Sequence, residues 1–226
     1  VRVYKGLGDP STGCSYQSST SLRVYGLDWA VTVAGARVTV LSWTPPESPA
    51  LTDMYAETRA EGAVHFSAVG NNNSTLIGYP AWLPTVFGVG GIQLDGNRWV
   101  SSPTEGSNYG PNLDIVAPAS EILVTDRVGV AGLDPGDYWT YSGTSFATPM
   151  AAGVAGLVLA LRPELDAEDV EHIVVMSATD IGVSGWDAQF GNGLVNAGRA
   201  LAMAPAYVFW DGLEPGSSIR WSRTWP

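Results

Sequence analysis

Ser145 is the residue of this sequence whose type and surroundings are best suited to nucleophilic chemistry. It stands near the start of an apolar stretch that runs to Leu161, and the pattern predicts a buried helix from about Thr144 to Leu161, with Pro163 marking its end. The free N–H groups and partial positive charge of a helix N-terminus would surround the Ser145 hydroxyl. Such an environment stabilises the negative charge that develops in acyl transfer. A core helix that carries a serine only in its first turn has the same pattern.

Asn71 is the second residue whose position predicts chemistry. It follows Ser67-Ala-Val-Gly70, which has the composition expected at the end of a buried strand. Ligands of open parallel sheets collect beyond the carboxyl ends of the strands. An asparagine amide there can donate to an oxyanion, and removing such a donor costs on the order of 10²–10³ in rate. The alternative is an asparagine-rich turn, which is common after strands.

The elements that must position these two residues follow an α/β pattern. Four short, β-branched runs lack polar alternation, which suits parallel strands that are covered on both faces: Val1–Tyr4, Val38–Ser42, Val64–Val69 and Val86–Val89. Helical spacings lie between them and end at Gly35 and Gly62, and Ser48-Pro49 predicts the start of the second helix. The order β-α-β-α-β predicts a parallel sheet with right-handed crossovers.

The second half of the chain is less regular before it becomes helical. Residues 91–142 are rich in glycine, proline, serine and asparagine, and this composition predicts loops and short strands. After the helix at Thr144, Asp166 and Asp169 resemble a capping box that opens another helix, and Asn196–Met203 has the pattern of a last short helix.

Composition and charge exclude several classes of protein. The 226 residues fit one domain with an appendage, and a hydrophobic content of 45% excludes global disorder. The net charge of −11 argues against a nucleic-acid partner. Cys14 is the only cysteine, so no disulfide forms within the chain. The uncharged stretch Tyr138–Leu161 is too polar and broken in its first half for a membrane span.

The segment Gly143-Thr-Ser-Phe-Ala-Thr-Pro149 resembles the nucleophile motif of the subtilisin-like serine proteases. Further segments resemble the same family in the same order: Leu41-Ser-Trp43, Ser67–Asn71, Tyr79-Pro-Ala81, Phe87–Gly90, Ser107–Gly110, Ile115–Pro118 and Gly191–Asn196. The resemblance covers roughly residues 1–203 and implies a parallel-sheet, subtilisin-like α/β fold that is incomplete. Residues 204–226 form a Trp-rich tail or the start of an extension.

The resemblance assigns roles to individual residues. It implies that Ser145 attacks the peptide carbonyl and that Asn71 and the Ser145 backbone N–H hold the oxyanion. It also implies two substrate-binding segments, Ser42-Trp43-Thr44 and Ala68-Val69-Gly70. Trp43 and Thr44 stand where the family usually has a smaller apolar residue and a glycine, so we expect a narrowed or reshaped cleft.

The family's catalytic aspartate and histidine have no counterpart in this sequence. Neither the Asp-Thr/Ser-Gly motif nor the His-Gly-Thr-His motif occurs, and both belong ahead of the strand that Val1–Tyr4 resembles. His65 lies about 20 Å from Asn71 along one strand, so we expect a hydrogen-bonded core histidine there. His172 is expected to be solvated, off the apolar face of its helix, and nothing places Lys5 near Ser145.

Three interpretations account for a nucleophile without a base. The chain is one fragment of a nicked protease, a partial sequence, or a catalytically inactive pseudoprotease that binds peptides. A sedolisin-type Ser-Glu-Asp peptidase is a weaker rival, because it would require an aspartate in place of Asn71. The first two readings predict a secreted serine endopeptidase that is nearly inactive as this isolated chain.

The same readings predict partners. They are a peptide or protein substrate and a missing N-terminal half that carries the aspartate and the histidine. That half would pair with a bare sheet edge at Val1–Tyr4. The chemistry needs no cofactor. Structural calcium is common in the family, and the Asn71–Tyr79 loop could offer carbonyl ligands, although no ligand set can be read from the sequence.

Overall fold

A computed structural model describes residues 19–126, 128–129 and 136–207. The predicted strand Val1–Tyr4, together with Lys5 and Cys14, lies outside the described residues, as does most of the predicted tail.

Four parallel strands form the central sheet. They are β1 (Val38–Leu41), β2 (Val64–Ala68), β3 (Phe87–Ile92) and β6 (Ile115–Pro118), in the order β1-β2-β3-β6. The second and third strands are buried at every position. The predicted α/β fold with a parallel sheet is therefore confirmed.

The region predicted as loops and short strands contains two antiparallel pairs as well as β6. β4 (Val100–Ser102) pairs with β5 (Glu105–Gly106), and β7 (Ile122–Thr125) pairs with β8 (Tyr138–Tyr141). The position of Ile115–Pro118 inside the central sheet was not predicted, because four residues among loops carry little periodicity of their own.

The helices begin and end where local signals predict. α1 (Thr20–Asp28) is capped by Ser19 and continues as a π-helical segment, Trp29–Val33, before Gly35 turns the chain at a φ of +68°. Ser48 caps α2 (Pro49–Ala60) by accepting from the Leu51 N–H.

Three helices follow in the second half. They are α3 (Thr144–Leu161), α4 (Ala167–Met176) and α5 (Ala197–Met203), the last followed by a 3-10 turn, Ala204–Ala206. Asp166 caps α4 by accepting from the Asp169 N–H, as predicted, and Asn196 caps α5 in the same way from just outside the helix.

The main core lies between the sheet and α3. Small residues on one face of α3, Ala147, Ala151 and Ala155, pack with Phe66 and Phe87 of the sheet. These alanines allow the helix to approach the strands closely, so its N-terminus is held at the ends of β1 and β2. By length and composition α3 would suffice to cross a membrane, but half of it is buried inside the fold.

Candidate active site

Ser145 and Ser42 exchange hydrogen bonds where the end of β1 meets the start of α3. The Ser145 Oγ donates to the Ser42 carbonyl at 2.9 Å, and the Ser42 Oγ donates to the Ser145 carbonyl at 2.9 Å. Both residues are partly buried. The predicted nucleophile therefore lies against the strand segment that was predicted to bind substrate.

Pro149 explains why the Ser145 carbonyl is available to Ser42. In an α-helix this carbonyl would accept from the N–H of residue 149, and proline has none. The sequence placed Pro149 near the first turn, where the missing N–H costs little. The structure places it inside α3, as the sixth helical residue, and the Ser42 hydroxyl supplies the bond that Pro149 cannot make.

Asn71 is held by the first residue of α3. Its Oδ1 accepts two hydrogen bonds from Thr144, one from the backbone N–H at 3.0 Å and one from the Oγ1 at 2.7 Å. Because the oxygen faces these two donors, the amide nitrogen must occupy the opposite position. A Cβ on Gly143 would lie only 3.3 Å from that nitrogen, and Gly143 has a φ of +151°. The two predicted oxyanion-site residues therefore both adjoin Thr144: Asn71 through hydrogen bonds and Ser145 as the next residue of α3.

Thr144 is the residue of the candidate site that the sequence interpretation missed. Its side chain is buried, and it orients the amide that was predicted to donate to the oxyanion. Its carbonyl in turn accepts from the Thr148 Oγ1 at 2.7 Å. The only signal was its place beside Ser145 in the nucleophile motif, since nothing local shows that its hydroxyl reaches Asn71.

Trp43 and Thr44 occupy the surface beside Ser42. Trp43 is 43% exposed, and the guanidinium of Arg23 from α1 lies 5.0 Å from the centroid of its ring. Thr44 is exposed, and its methyl packs so closely on Gly78 that a Cβ at position 78 would lie only 2.4 Å from it. The expected narrowing by these two side chains stays a prediction, and their positions are consistent with it.

The second predicted substrate segment is mostly enclosed. Ala68 and Val69 are buried, and the Val69 carbonyl accepts from the Gly78 N–H at 2.9 Å and from the Asn108 side chain at 3.1 Å. Gly70 is partly exposed and turns the chain at a φ of +103°. A substrate role for these three residues stays a prediction, and Gly70 is the member with an accessible surface.

His65 is a core histidine that cannot serve Ser145. Its Nδ1 lies 2.7 Å from the Thr39 Oγ1, and its Nε2 lies 3.1 Å from the Thr58 Oγ1. The Thr58 hydroxyl donates its own proton to the Met54 carbonyl, so its oxygen can only accept from His65. The Nε2 atom of His65 therefore carries the ring proton and donates it to Thr58. Burial, reinforced by the charge of Arg59, lowers the pKa of His65 to about 3. The predicted hydrogen-bonded core histidine agrees with these contacts.

His172 is less solvated than predicted. The ring packs against Tyr207, with 5.7 Å between the ring centroids, and the residue is only partly exposed. Burial lowers its pKa, opposed by the charge of Asp169. Tyr207, which packs on His172, is 35 residues away in sequence, and helical periodicity in α4 alone could not reveal it.

The Asn71–Tyr79 loop does not fit a calcium site. It contains no carboxylate, and its carbonyls at Asn71, Ser74 and Leu76 already accept hydrogen bonds. Within the described ranges, no three His, Cys, Asp or Glu side chains lie close enough to hold a metal ion.

Comparisons with known proteins agree with this geometry. The model of the subtilase family (Peptidase_S8) matches residues 9–193. Alkaline elastase YaB of Bacillus sp. (strain YaB) is 32% identical over 189 residues, which cover 83% of this chain and 46% of that protein. Subtilisin E of Bacillus subtilis (strain 168) is 30% identical over 181 residues, covering 78% and 44%. The chain thus spans less than half the length of these two relatives.

Solved structures show the same fold. The psychrophilic subtilisin-like protease of the Antarctic psychrotroph Pseudoalteromonas sp. AS-11 superposes with a TM-score of 0.72 at 17% identity, covering 84% of this chain and 74% of that one. A lanthipeptide protease gives 0.71 at 25% identity, covering 82% and 68%. The prenylagaramide maturation protease PagA gives 0.67 at 27% identity, covering 84% and 69%.

Proposed function

Because the chain belongs to the subtilase family of serine proteases, we propose that the intact protein hydrolyses peptide bonds through an acyl-enzyme on Ser145. One observation carries the proposal. The Ser145 hydroxyl and the Asn71 amide both lie at the N-terminus of α3, where Thr144 donates to the Asn71 oxygen and leaves the amide nitrogen on the other side of the group.

Ser145 and Asn71 would have distinct roles in acyl transfer. The Ser145 Oγ attacks the carbonyl carbon as its proton passes to a base, and the carbonyl oxygen becomes an oxyanion. The Asn71 Nδ2 and the Ser145 N–H donate to that oxygen. The C–N bond then breaks, and the leaving amine takes the proton from the base. Water, activated by the same base, attacks the acyl-enzyme and releases Ser145.

We propose that the base comes from outside the described residues. His65 is locked between Thr39 and Thr58, and His172 packs on Tyr207. We therefore propose that a segment upstream of Val1, or a partner chain, carries the catalytic histidine and aspartate. The shortness of this chain beside its relatives supports the proposal.

An uncovered apolar surface also supports a missing segment. Within the described part of the chain, β1 is an edge strand of the sheet, and Val40 is 45% exposed there. Parallel sheets are normally covered on both faces by other elements of the protein. α3 exposes Met150, Leu157 and Leu161 at 37%, 48% and 48%, and their spacing puts them on one helical face. We propose that the upstream segment or partner chain binds these surfaces.

Substrate class and location follow from the family. We propose that extended peptides pair with the backbone at Ser42–Thr44, and that Trp43 restricts which side chains fit beside it. We also propose an extracellular location, since the halolysin-like protease Nep of Natrialba magadii, named an extracellular serine protease, is 35% identical over 144 residues. Those residues cover 64% of this chain and 24% of that protein.

A peptide-binding pseudoprotease is the second candidate. The observation that favours it is the hydrogen bond from the Ser145 hydroxyl to the Ser42 carbonyl. A carbonyl oxygen accepts this bond but cannot remove the proton, so the Ser145 oxygen is not activated as a nucleophile. A serine held in this way, with no base, would bind a peptide without cleaving it.

Fluorophosphonate labelling separates the two candidates. The protein is produced from the complete reading frame, with the upstream segment, and is tested for labelling and for peptide cleavage. We expect labelling that is lost in Ser145→Ala and retained in the matched control Ser142→Ala, which removes a serine three residues away. If the wild-type protein binds peptides but neither reacts nor cleaves, the pseudoprotease is correct.

A further inference from the structure

Asn108 is a buried asparagine whose side chain is fully used by one loop. Its Nδ2 donates to the Val69 carbonyl at 3.1 Å and to the Leu76 carbonyl at 2.9 Å. Its Oδ1 accepts from the backbone N–H groups of Asn72 at 2.9 Å and Ser74 at 3.1 Å. An asparagine amide has two donor hydrogens and two acceptor positions on its oxygen, and all four are engaged.

The backbone of Gly106 and Asn108 also forms hydrogen bonds with the same loop. The Asn108 N–H donates to the Gly70 carbonyl at 2.9 Å, and the Gly106 N–H donates to the Asn71 carbonyl at 3.0 Å. The Gly106 carbonyl accepts from the Asn73 N–H at 2.9 Å. Residues 70–73 are therefore fixed on each side of Asn71, by contacts from a segment more than thirty residues away.

Gly70 provides independent support for this close fit. A Cβ at this position would lie 2.6 Å from the Asn108 Nδ2, a distance that real Cβ atoms essentially never show. Gly70 also has a φ of +103°, which other residues rarely adopt. The chain thus uses the one residue that lets the Asn108 amide reach the backbone directly before Asn71.

We infer that Asn108 is a positioning residue for the oxyanion donor. Its side chain fixes the backbone at Val69, Asn72, Ser74 and Leu76, and this fixes the direction in which the Asn71 side chain leaves the chain. Thr144 fixes the amide end of the Asn71 side chain, and Asn108 fixes the backbone from which that side chain extends. The inference rests on the proposed function, in which Asn71 donates to the oxyanion.

Loss of Asn108 should affect the transition state more than substrate binding. Alanine at position 108 removes the partner of the Leu76 carbonyl and of the Asn72 and Ser74 N–H groups, and it leaves the Val69 carbonyl with only the Gly78 N–H. The loop would shift to find other partners, and the Asn71 amide would move with it. Displacement of a catalytic group by about 1 Å can cost up to about 10²-fold in rate. Hence kcat should fall by up to about 10²-fold while KM changes little.

A double-mutant cycle in the intact protein tests the coupling. The variants are Asn71→Ala, Asn108→Ala and both together. If Asn108 acts through Asn71, Asn108→Ala lowers kcat in the wild-type background and has little further effect when Asn71 is already alanine. If the two losses in kcat multiply, Asn108 has only a general structural role, and the inference is wrong.

Hydrogen exchange tests the same coupling without activity. The Thr144 backbone N–H donates to the Asn71 Oδ1, so its exchange rate reports where that side chain lies. We expect Asn108→Ala to accelerate exchange at Thr144. The matched control is Asn196→Ala, which removes an asparagine that caps α5 and bonds to Thr179, away from Asn71. It should leave exchange at Thr144 unchanged.

The two readouts separate this inference from the proposed function. If the wild-type protein is inactive but Asn108→Ala accelerates exchange at Thr144, the proposed function fails and the positioning by Asn108 stands. If exchange at Thr144 is unchanged, the positioning fails whatever the activity. Should Asn108→Ala not fold, Asn108→Asp retains the acceptor for Asn72 and Ser74, but its second oxygen faces the Val69 and Leu76 carbonyls in place of the donor, so exchange at Thr144 should again accelerate.

Discussion

The Ser42 hydroxyl donates to the Ser145 carbonyl, and the Ser145 hydroxyl donates to the Ser42 carbonyl, each at 2.9 Å. This reciprocal pair joins the end of β1 to the first turn of α3. It ties the proposed substrate-binding strand directly to the proposed nucleophile. Any shift of one element relative to the other must break at least one of these bonds.

Replacing Ser42 by alanine should therefore weaken both stability and activity. The Ser145 carbonyl would lose its donor, and Pro149 cannot replace it. We expect the free energy of unfolding to fall by about 1 kcal/mol, the usual net value of one such bond. Urea denaturation measures the change, and Ser42→Thr, which keeps a hydroxyl, should lose less. Equal losses in the two variants would contradict a role for the hydroxyl bond.

Pro149→Ala should make the Ser42 hydroxyl less important. An alanine N–H at position 149 can donate to the Ser145 carbonyl, as in an uninterrupted helix. We expect the cost of Ser42→Ala, measured by urea denaturation, to be smaller in the Pro149→Ala background than in the wild type. Additive costs would show that the two residues are independent.

Thr144→Val should lower activity with little change in shape. Valine has nearly the same form but lacks the Oγ1 that donates to the Asn71 Oδ1 at 2.7 Å, while the backbone donor at 3.0 Å remains. The Asn71 amide would then be less firmly oriented, and kcat of the intact protein should fall by about tenfold, less than the 10²–10³ for loss of an oxyanion donor itself. Steady-state kinetics separate kcat from KM, and Thr144→Ser, which keeps the hydroxyl, is the control. A fall in kcat for both variants alike would contradict this role for the hydroxyl.

Local signals predicted most of the framework, and contacts distant in sequence decided the rest. Ser48, Asp166 and the glycines at 35 and 62 mark helix ends because caps and turns depend on neighbouring residues. The bond from Thr144 to Asn71 and the packing of His172 against Tyr207 were missed, because each depends on a residue far along the chain. The segment of the proposed nucleophile was recognisable because its family motif is long and contiguous.

His65 should make the stability of the protein depend on pH in the acid range. Its pKa is about 3 when folded and about 6.5 when unfolded, so the unfolded state binds the extra proton between these values. The stabilisation is full above about pH 6.5 and is lost progressively as the pH falls towards 3. At pH 5 the expected loss from this group is about 2 kcal/mol relative to pH 7.

Urea denaturation of the wild type and of His65→Gln at pH 7 and pH 5 measures this contribution. Glutamine removes the titration, so the difference in unfolding free energy between the two proteins should shrink at pH 5, because only the wild type is weakened by protonation at this site. Arg59 supports the low pKa, since its positive charge opposes a second one on the ring. Arg59→Gln, which also breaks the ion pair with Glu171 at 2.7 Å, should therefore destabilise the protein at both pH values and flatten its pH dependence slightly. If the wild type and His65→Gln show the same pH dependence, His65 is not the titrating group.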